Sequence, residues 1–231
     1  MKMGKISVAA VTMVLVFAMS LSSAVASGEA KKVGDASGVL REIMAIPEKG
    51  LPPALLKDAY GIAIIPGVIK LGFIVGGRYG TGVLMVRDKG GKWGNPVFVS
   101  IAGGSLGWQI GAQSTDVILV FKTRRSVDGI RKGKFTLGAD AAVAAGPVGR
   151  NLEAATDVTL KAEIYSYSRS RGLFAGVSLE GAALQIDDDA DAAFYGKPNV
   201  RAGDIMSGKV KTSSPEVGKL QKMLADYSVV R

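Results

Sequence analysis

The chain has 231 residues, 48% apolar and 21% charged, a globular composition rather than a disordered or collagen-like one. It has no Cys and no His, which excludes disulfides, thiolate or imidazole metal sites, cysteine nucleophiles and any Ser-His-Asp triad. With 29 basic against 20 acidic residues the formal net charge is +9, so the expected partners are anionic.

Residues 1–26 read as an export signal. Lys2 and Lys5 make a positive start, Ile6 to Met19 is apolar, and Ala24-Val25-Ala26 is a small-x-small cleavage site. The expected mature chain begins at Ser27 and is periplasmic or extracellular. The apolar stretch is short of the roughly 20 residues that span a bilayer. Residues 27–231 carry no internal repeat, no low-complexity tract and no long linker, and read as one domain.

Residues 33–46 have helical periodicity, with Val33, Ala36, Leu40, Ile43 and Met44 on one face, Asp35 as a cap and Pro47 as the stop. A short helix is expected next, at 52–59. Between Gly61 and Gly111 lie 14 glycines among Val, Ile, Leu and Phe, a density that strands with bulges tolerate and helices do not. Strands are expected near 60–65, 72–78, 81–87, 97–102 and 106–112, with Asp88-Lys89-Gly90-Gly91 as a hairpin turn. Asp116 to Lys122 is a continuous apolar run, the pattern of a strand covered on both faces. A short helix at 124–132 and strands near 134–138 and 140–145 come next. Residues 158–169 alternate, with Val158, Leu160, Ala162 and Ile164 against Thr159, Lys161, Glu163, Tyr165, Tyr167 and Arg169, the pattern of a half-exposed antiparallel strand. Gly172 closes a hairpin into 173–180. Helices are expected from Asp187, at 201–207 and at 215–227. The fold class is therefore α+β: a strongly bent antiparallel sheet or barrel-like core flanked by N- and C-terminal helices.

Three motif matches fail on chemistry. Gly103-Gly104-Ser105-Leu106-Gly107 fits G-x-S-x-G, but there is no His to take the Ser105 proton, and the residues after it read as strand rather than helix. Asp187-Asp188-Asp189-Ala190-Asp191 resembles the start of a calcium loop, yet Ala192 and Pro198 occupy the positions that need Gly and Glu. It reads as an acidic helix start. The stretch GGRYGTG at 76–82 lacks the spacing of either phosphate-binding loop and reads as a bent strand pair. The sequence nominates no catalytic residue, metal site or cofactor.

The charge pattern is more informative. Lys122, Arg124, Arg125, Arg131, Lys132 and Lys134 fall within 13 positions with Asp128 as the only acid. They come directly after a buried strand, which places them along one rim of the sheet as a candidate anion site. Nucleic acid is not the expected partner, because aromatic interleaving is absent. Lys31, Lys32 and Arg41 accompany the apolar face of the first helix. That face, with Leu40, Ile43 and Met44, fits either insertion at a membrane surface or packing on the core.

The blocks AYGIAIIP at 59–66, DVILV at 116–120, GPVGR at 146–150, IYSYSRSRGLFAG at 164–176 and FYG at 194–196 closely resemble the SYLF domain family, over about residues 35–227. This family contains the Las-seventeen-binding actin regulators of fungi, relatives in animals and plants, and secreted bacterial members. The resemblance implies a lipid-binding module that prefers anionic phospholipids and phosphoinositides, with actin binding in some eukaryotic members. It also implicates an amphipathic segment at the N-terminus of the domain, here about residues 31–46, and implies no catalytic residues. The leading expectation is a non-enzymatic envelope protein that binds anionic phospholipid at a membrane surface. The alternative is a structural or protein-interaction module. A His-free enzyme using carboxylates is a third class, and no spacing nominates its pair.

Overall fold

The computed structural model describes residues 26–46, 50–107, 113–147, 161–170 and 173–229. The first 25 residues, and so most of the expected signal segment, lie outside the described residues. So do Pro47, Val158, Leu160 and Gly172.

The architecture is α+β, with an eight-stranded curled sheet forming a half-barrel between helices. The elements run α1 (26–44), α2 (Pro53–Asp58), β1 (Gly61–Val86), β2 (Val97–Gly107), β3 (Gln113–Phe121), α3 (Arg124–Ile130), β4 (Lys134–Thr136), β5 (Val143–Ala145), β6 (Ile164–Ser170), β7 (Leu173–Gly176), β8 (Ala183–Ile186), α4 (Asp188–Tyr195), α5 (Ala202–Met206) and α6 (Pro215–Tyr227). The strand order is β4-β8-β2-β1-β3-β6-β5, with β7 also paired to β6. All pairings are antiparallel except β5 with β6.

The sheet curls because β1 folds over on itself. Three strands expected over 60–87 form one 26-residue strand. Its first arm pairs with β3 and its second with β2. A bulge between Ile65 and Val68 starts the bend, where Pro66 donates no hydrogen bond and Gly67 takes φ +60°. The arms then stack face to face, and glycine is required there. A Cβ on Gly80 would lie 2.8 Å from Val68 Cγ2, and one on Gly82 only 2.2 Å from the Ile64 carbonyl. The glycine density thus serves a self-crossing strand. Both ends of β1 return to one place, where the Arg87 amide donates to the Tyr60 carbonyl at 2.9 Å. Asp88 closes the turn into β2 by accepting from Gly90 N and Lys92 N at 2.8 and 2.9 Å. The GGRYGTG stretch lies within β1.

Side chains alternate along a strand, so each strand feeds two cores. Ala63, Ile65, Val68, Leu84 and Val86 point inside the curl, with Val97, Val99, Leu119, Phe121, Phe135 and the apolar residues of α3 and α5. Ile62, Ile64, Val83, Met85, Ile118, Val120 and Tyr167 point outward against α1, α2 and α6. This explains the continuous apolar run of β3, buried from Val117 to Phe121. It also corrects the alternation expected over 158–169. The strand begins at Ile164 and is not half-exposed: Ile164, Tyr165, Ser166 and Tyr167 are all buried. The polar-looking tyrosines face the outer core, where Tyr167 stacks on Phe174 at 5.1 Å and donates to the Pro147 carbonyl at 3.1 Å.

The first helix extends further toward the N-terminus than its periodicity predicts. Asp35 is an interior residue ion-paired with Lys31 at 2.8 Å, not a cap. Val33, Ala36, Leu40 and Ile43 have no exposed surface and pack into the outer core. Burial of each Val, Leu or Ile there stabilises docking by about 1.5–3 kcal/mol. Of the two readings of this face, the structure has packing on the core: the sheet occupies the apolar face of Leu40 and Ile43. Met44 is half-buried against the same cluster. The helix is further tied by Arg169, which bonds Glu42 and also donates through Nε and Nη2 to Asp116 Oδ2 at 3.0 and 2.5 Å. Asp116 Oδ1 in turn accepts from Gly67 N at 2.9 Å, joining the helix to the bulge of β1.

Candidate functional site

Two adjoining depressions lie at the end of the sheet where β1 begins and ends. The first is a cleft of about 320 Å³ walled by the 88–90 turn, α3 and the end of α5, with Tyr60 and Arg87 at its base. The second is a shallower hollow between α3 and α5 that shares Asp128 and Arg131 and adds Lys132 and Arg201. At their rims stand Lys89, Arg124, Arg131, Lys132 and Arg201, with Asp88, Asp128 and Asp188 as the acids.

Each position has a structural cause. Thr123 caps α3 by accepting from Ser126 N at 3.2 Å, which turns the chain out of β3 and fixes where the helix starts. Val127 and Ile130 anchor the helix in the inner core, leaving Arg124, Asp128 and Arg131 on its outer face, one turn apart. Asp128 lies 3.8 Å from Arg124 and 3.2 Å from Arg131, and all three side chains are about half exposed. One carboxylate shared by two guanidinium groups leaves net positive charge in water. Pairs of this kind contribute little to stability and remain open to exchange for another anion.

Arg87 has a different role. Its guanidinium donates to the carbonyls of Leu56, Ala59 and Gly91 and to Ser228 Oγ, and lies 4.2 Å from the Trp93 ring centre. Burial lowers its pKa and Asp58 opposes that. It is a pin joining α2, the hairpin and the C-terminus.

The six basic residues of 122–134 do not form a single patch. Arg124, Arg131 and Lys132 line the depressions. Lys122 turns toward β6, its Nζ 3.0 Å from Tyr165 Oη and 4.4 Å from the ring centre. Arg125 points to Glu163 at 3.9 Å. Lys134 is exposed on β4, beside Gln185 of β8. On α1, Lys31 and Lys32 pair with Asp35 and Glu29, and Arg41 is exposed. Lys89 and Arg201 were not among the sequence candidates. Their only sequence signal is positive charge beside a turn or at a helix start, and tertiary folding alone brings them to α3.

The failed motifs have structural explanations. Ser105 lies near the end of β2, opposite Gly76 of β1 with Leu106 and Gly107 still paired after it, so its backbone is extended and makes no nucleophile elbow. Asp187 caps α4 by accepting from Ala190 N at 3.1 Å. Asp191 is wholly buried, and its Oδ1 accepts from Phe98 N at 2.9 Å. Burial, with Asp188, Asp187 and Glu29 adding to it against the Phe98 bond, raises its pKa to about 7.

Comparison with known proteins agrees with this framework. Residues 102–227, more than half the chain, match the family model Ysc84, described as Las17-binding protein actin regulator. The chain is 40% identical over 186 residues to human SH3 domain-containing YSC84-like protein 1, covering 78% of this chain and 53% of that protein. The Xenopus laevis protein of the same name is 39% identical over 181 residues, 76% of this chain and 54% of its own length. LAS seventeen-binding protein 3 of Saccharomyces cerevisiae is 40% identical over 177 residues, 75% of this chain and 38% of its own. The chain thus spans about half the length, or less, of these relatives. With a family match that runs from the last part of β2 through α6, and about 40% identity to these relatives over some three quarters of the chain, the chain belongs to the Ysc84 (SYLF) family.

Proposed function

We propose that the chain is a non-enzymatic binding module of the cell envelope, exported by residues 1–26, whose basic rim meets the phosphates of anionic phospholipid headgroups. Phosphoinositide-type headgroups are the class implied by the family resemblance. The observation that carries this reading is the convergence of Arg124, Arg131, Lys132, Lys89 and Arg201 around two adjoining depressions. The binding is electrostatic and interfacial: α1 keeps its apolar face on the sheet, and its exposed Lys31 and Arg41 add positive charge. A second reading, a protein-interaction module, rests on the yeast relative named for binding LAS seventeen.

Vesicle flotation separates the two. The chain is expected to float with phosphatidylglycerol vesicles, not with phosphatidylcholine vesicles, and to be released at about 1 M salt, where the screening length falls to roughly 3 Å. Each rim cation near an anionic surface contributes about 1 kcal/mol. The triple variant Arg124→Gln, Arg131→Gln, Lys132→Gln, checked for native circular dichroism, should therefore lose up to about a hundredfold in affinity. Wild-type protein that stays unbound on anionic vesicles refutes the lipid reading and leaves the protein-interaction reading.

A further inference from the structure

At the bend of β1, away from the cleft where its two ends meet, the fold brings two cations toward each other. Val68 and Gly80 are in contact where the arms of β1 stack, and both lie on the inner side of the curl. Side chains alternate along a strand, so Lys70, two residues after Val68, and Arg78, two before Gly80, leave their arms on that same inner side. Arg78 is placed by its Nε, which donates to the Gly104 carbonyl at 3.2 Å. Its Nη1 is buried and bonds nothing. Among the described residues, no carboxylate forms an ion pair with Lys70 or Arg78. Burial lowers the pKa of both, and Arg78 further lowers that of Lys70.

Among the described residues these two half-buried cations have no counter-charge, an arrangement that is costly unless an anion joins them, and a buried guanidinium N–H without an acceptor adds to that cost. We propose that Lys70 and Arg78 form a binding site for a phosphate monoester at the bend of β1. Arg78 presents its planar fork and Lys70 a point charge, a pairing matched to a dianion with several acceptor oxygens. The phosphate belongs either to a soluble ester or to a lipid headgroup. The site does not rest on the basic rim, which lies where the two ends of β1 meet and contributes no residue to it.

Binding of glycerol 3-phosphate is measured by isothermal titration calorimetry and by the shift in Tm, against chloride at matched ionic strength. Flotation on phosphatidic acid vesicles forms a parallel arm. Wild type is expected to bind in at least one arm. Lys70→Gln and Arg78→Gln should each weaken that binding by about tenfold to a hundredfold, the loss of one charge-assisted contact. The rim triple variant should retain glycerol 3-phosphate binding. With no phosphate present, Lys70→Gln should melt above wild type, because it removes one of two like charges. That readout keeps the test decisive where Arg78→Gln fails to fold. Binding of the ester supports a soluble ligand. Binding confined to vesicles and lost in both Lys70→Gln and Arg78→Gln supports a lipid one. The proposal is overturned if neither arm shows binding, or if Lys70→Gln and Arg78→Gln bind as wild type does.

Discussion

Asp191 makes folding depend on pH in a direction opposite to most carboxylates. It is fully buried on α4, with one oxygen bonded to the Phe98 amide and the other without a partner. An aspartate that ordinarily titrates at 3.8 is raised here to about 7. Through that window the folded chain holds a proton that the unfolded chain has released. The folded state binds more protons, so stability falls as pH rises and levels off above about 7. At about 1.4 kcal/mol per pH unit, the full loss is about 4 kcal/mol, of which about 3 kcal/mol falls between pH 5 and pH 8. Asp191→Asn keeps the acceptor for Phe98 and removes the charge. Urea unfolding of both proteins across this range should show the variant gaining on wild type by about that amount and then holding a constant margin at alkaline pH. A stability difference that does not change with pH would refute the argument, because it would mean that Asp191 is charged in the folded chain.

The packing sets two further outcomes. Leu40→Ala and Ile43→Ala should each cost about 2–5 kcal/mol in chemical denaturation, as deletions from a fully buried cluster, whereas Arg41→Ala beside them should stay within about 0.5 kcal/mol. Gly82→Ala should destabilise more than Gly104→Ala by differential scanning calorimetry. Its methyl group would press on the Ile64 backbone, while a Cβ at Gly104 meets open space.

What was legible in the sequence was local. The helical face of Val33, Ala36, Leu40 and Ile43, the Asp88 turn, the apolar run of β3 and the acidic helix start at Asp187 come from spacing and side-chain chemistry alone. The absence of His and Cys had already removed whole classes of catalysis, and the block at 164–176 carried the family. Boundaries that depend on partners were not legible. Residues 158–169 alternate as a half-exposed strand would, yet Tyr165 and Tyr167 are buried, because the outer core covers the face that the alternation assigned to solvent.

The sequence by itself located most of the strands and helices, since hydrophobic period and turn residues act over a few positions, but it missed β8 at Ala183–Ile186, a short strand fixed by pairing with β2 and β4. Only the tertiary structure decided that residues 61–86 form one strand folded on itself. No local signal states that Gly80 and Gly82 will meet Val68 and Ile64. The same applies to the basic residues. Their clustering at 122–134 was visible, but the cap at Thr123 and the burial of Val127 and Ile130 sent Arg124 and Arg131 to the cleft. Lys122 and Arg125 went to β6 and Glu163 instead. Lys70 and Arg78 come to the same inner side because the arms of one long strand stack on each other, a relation between distant backbone segments that period and composition do not encode.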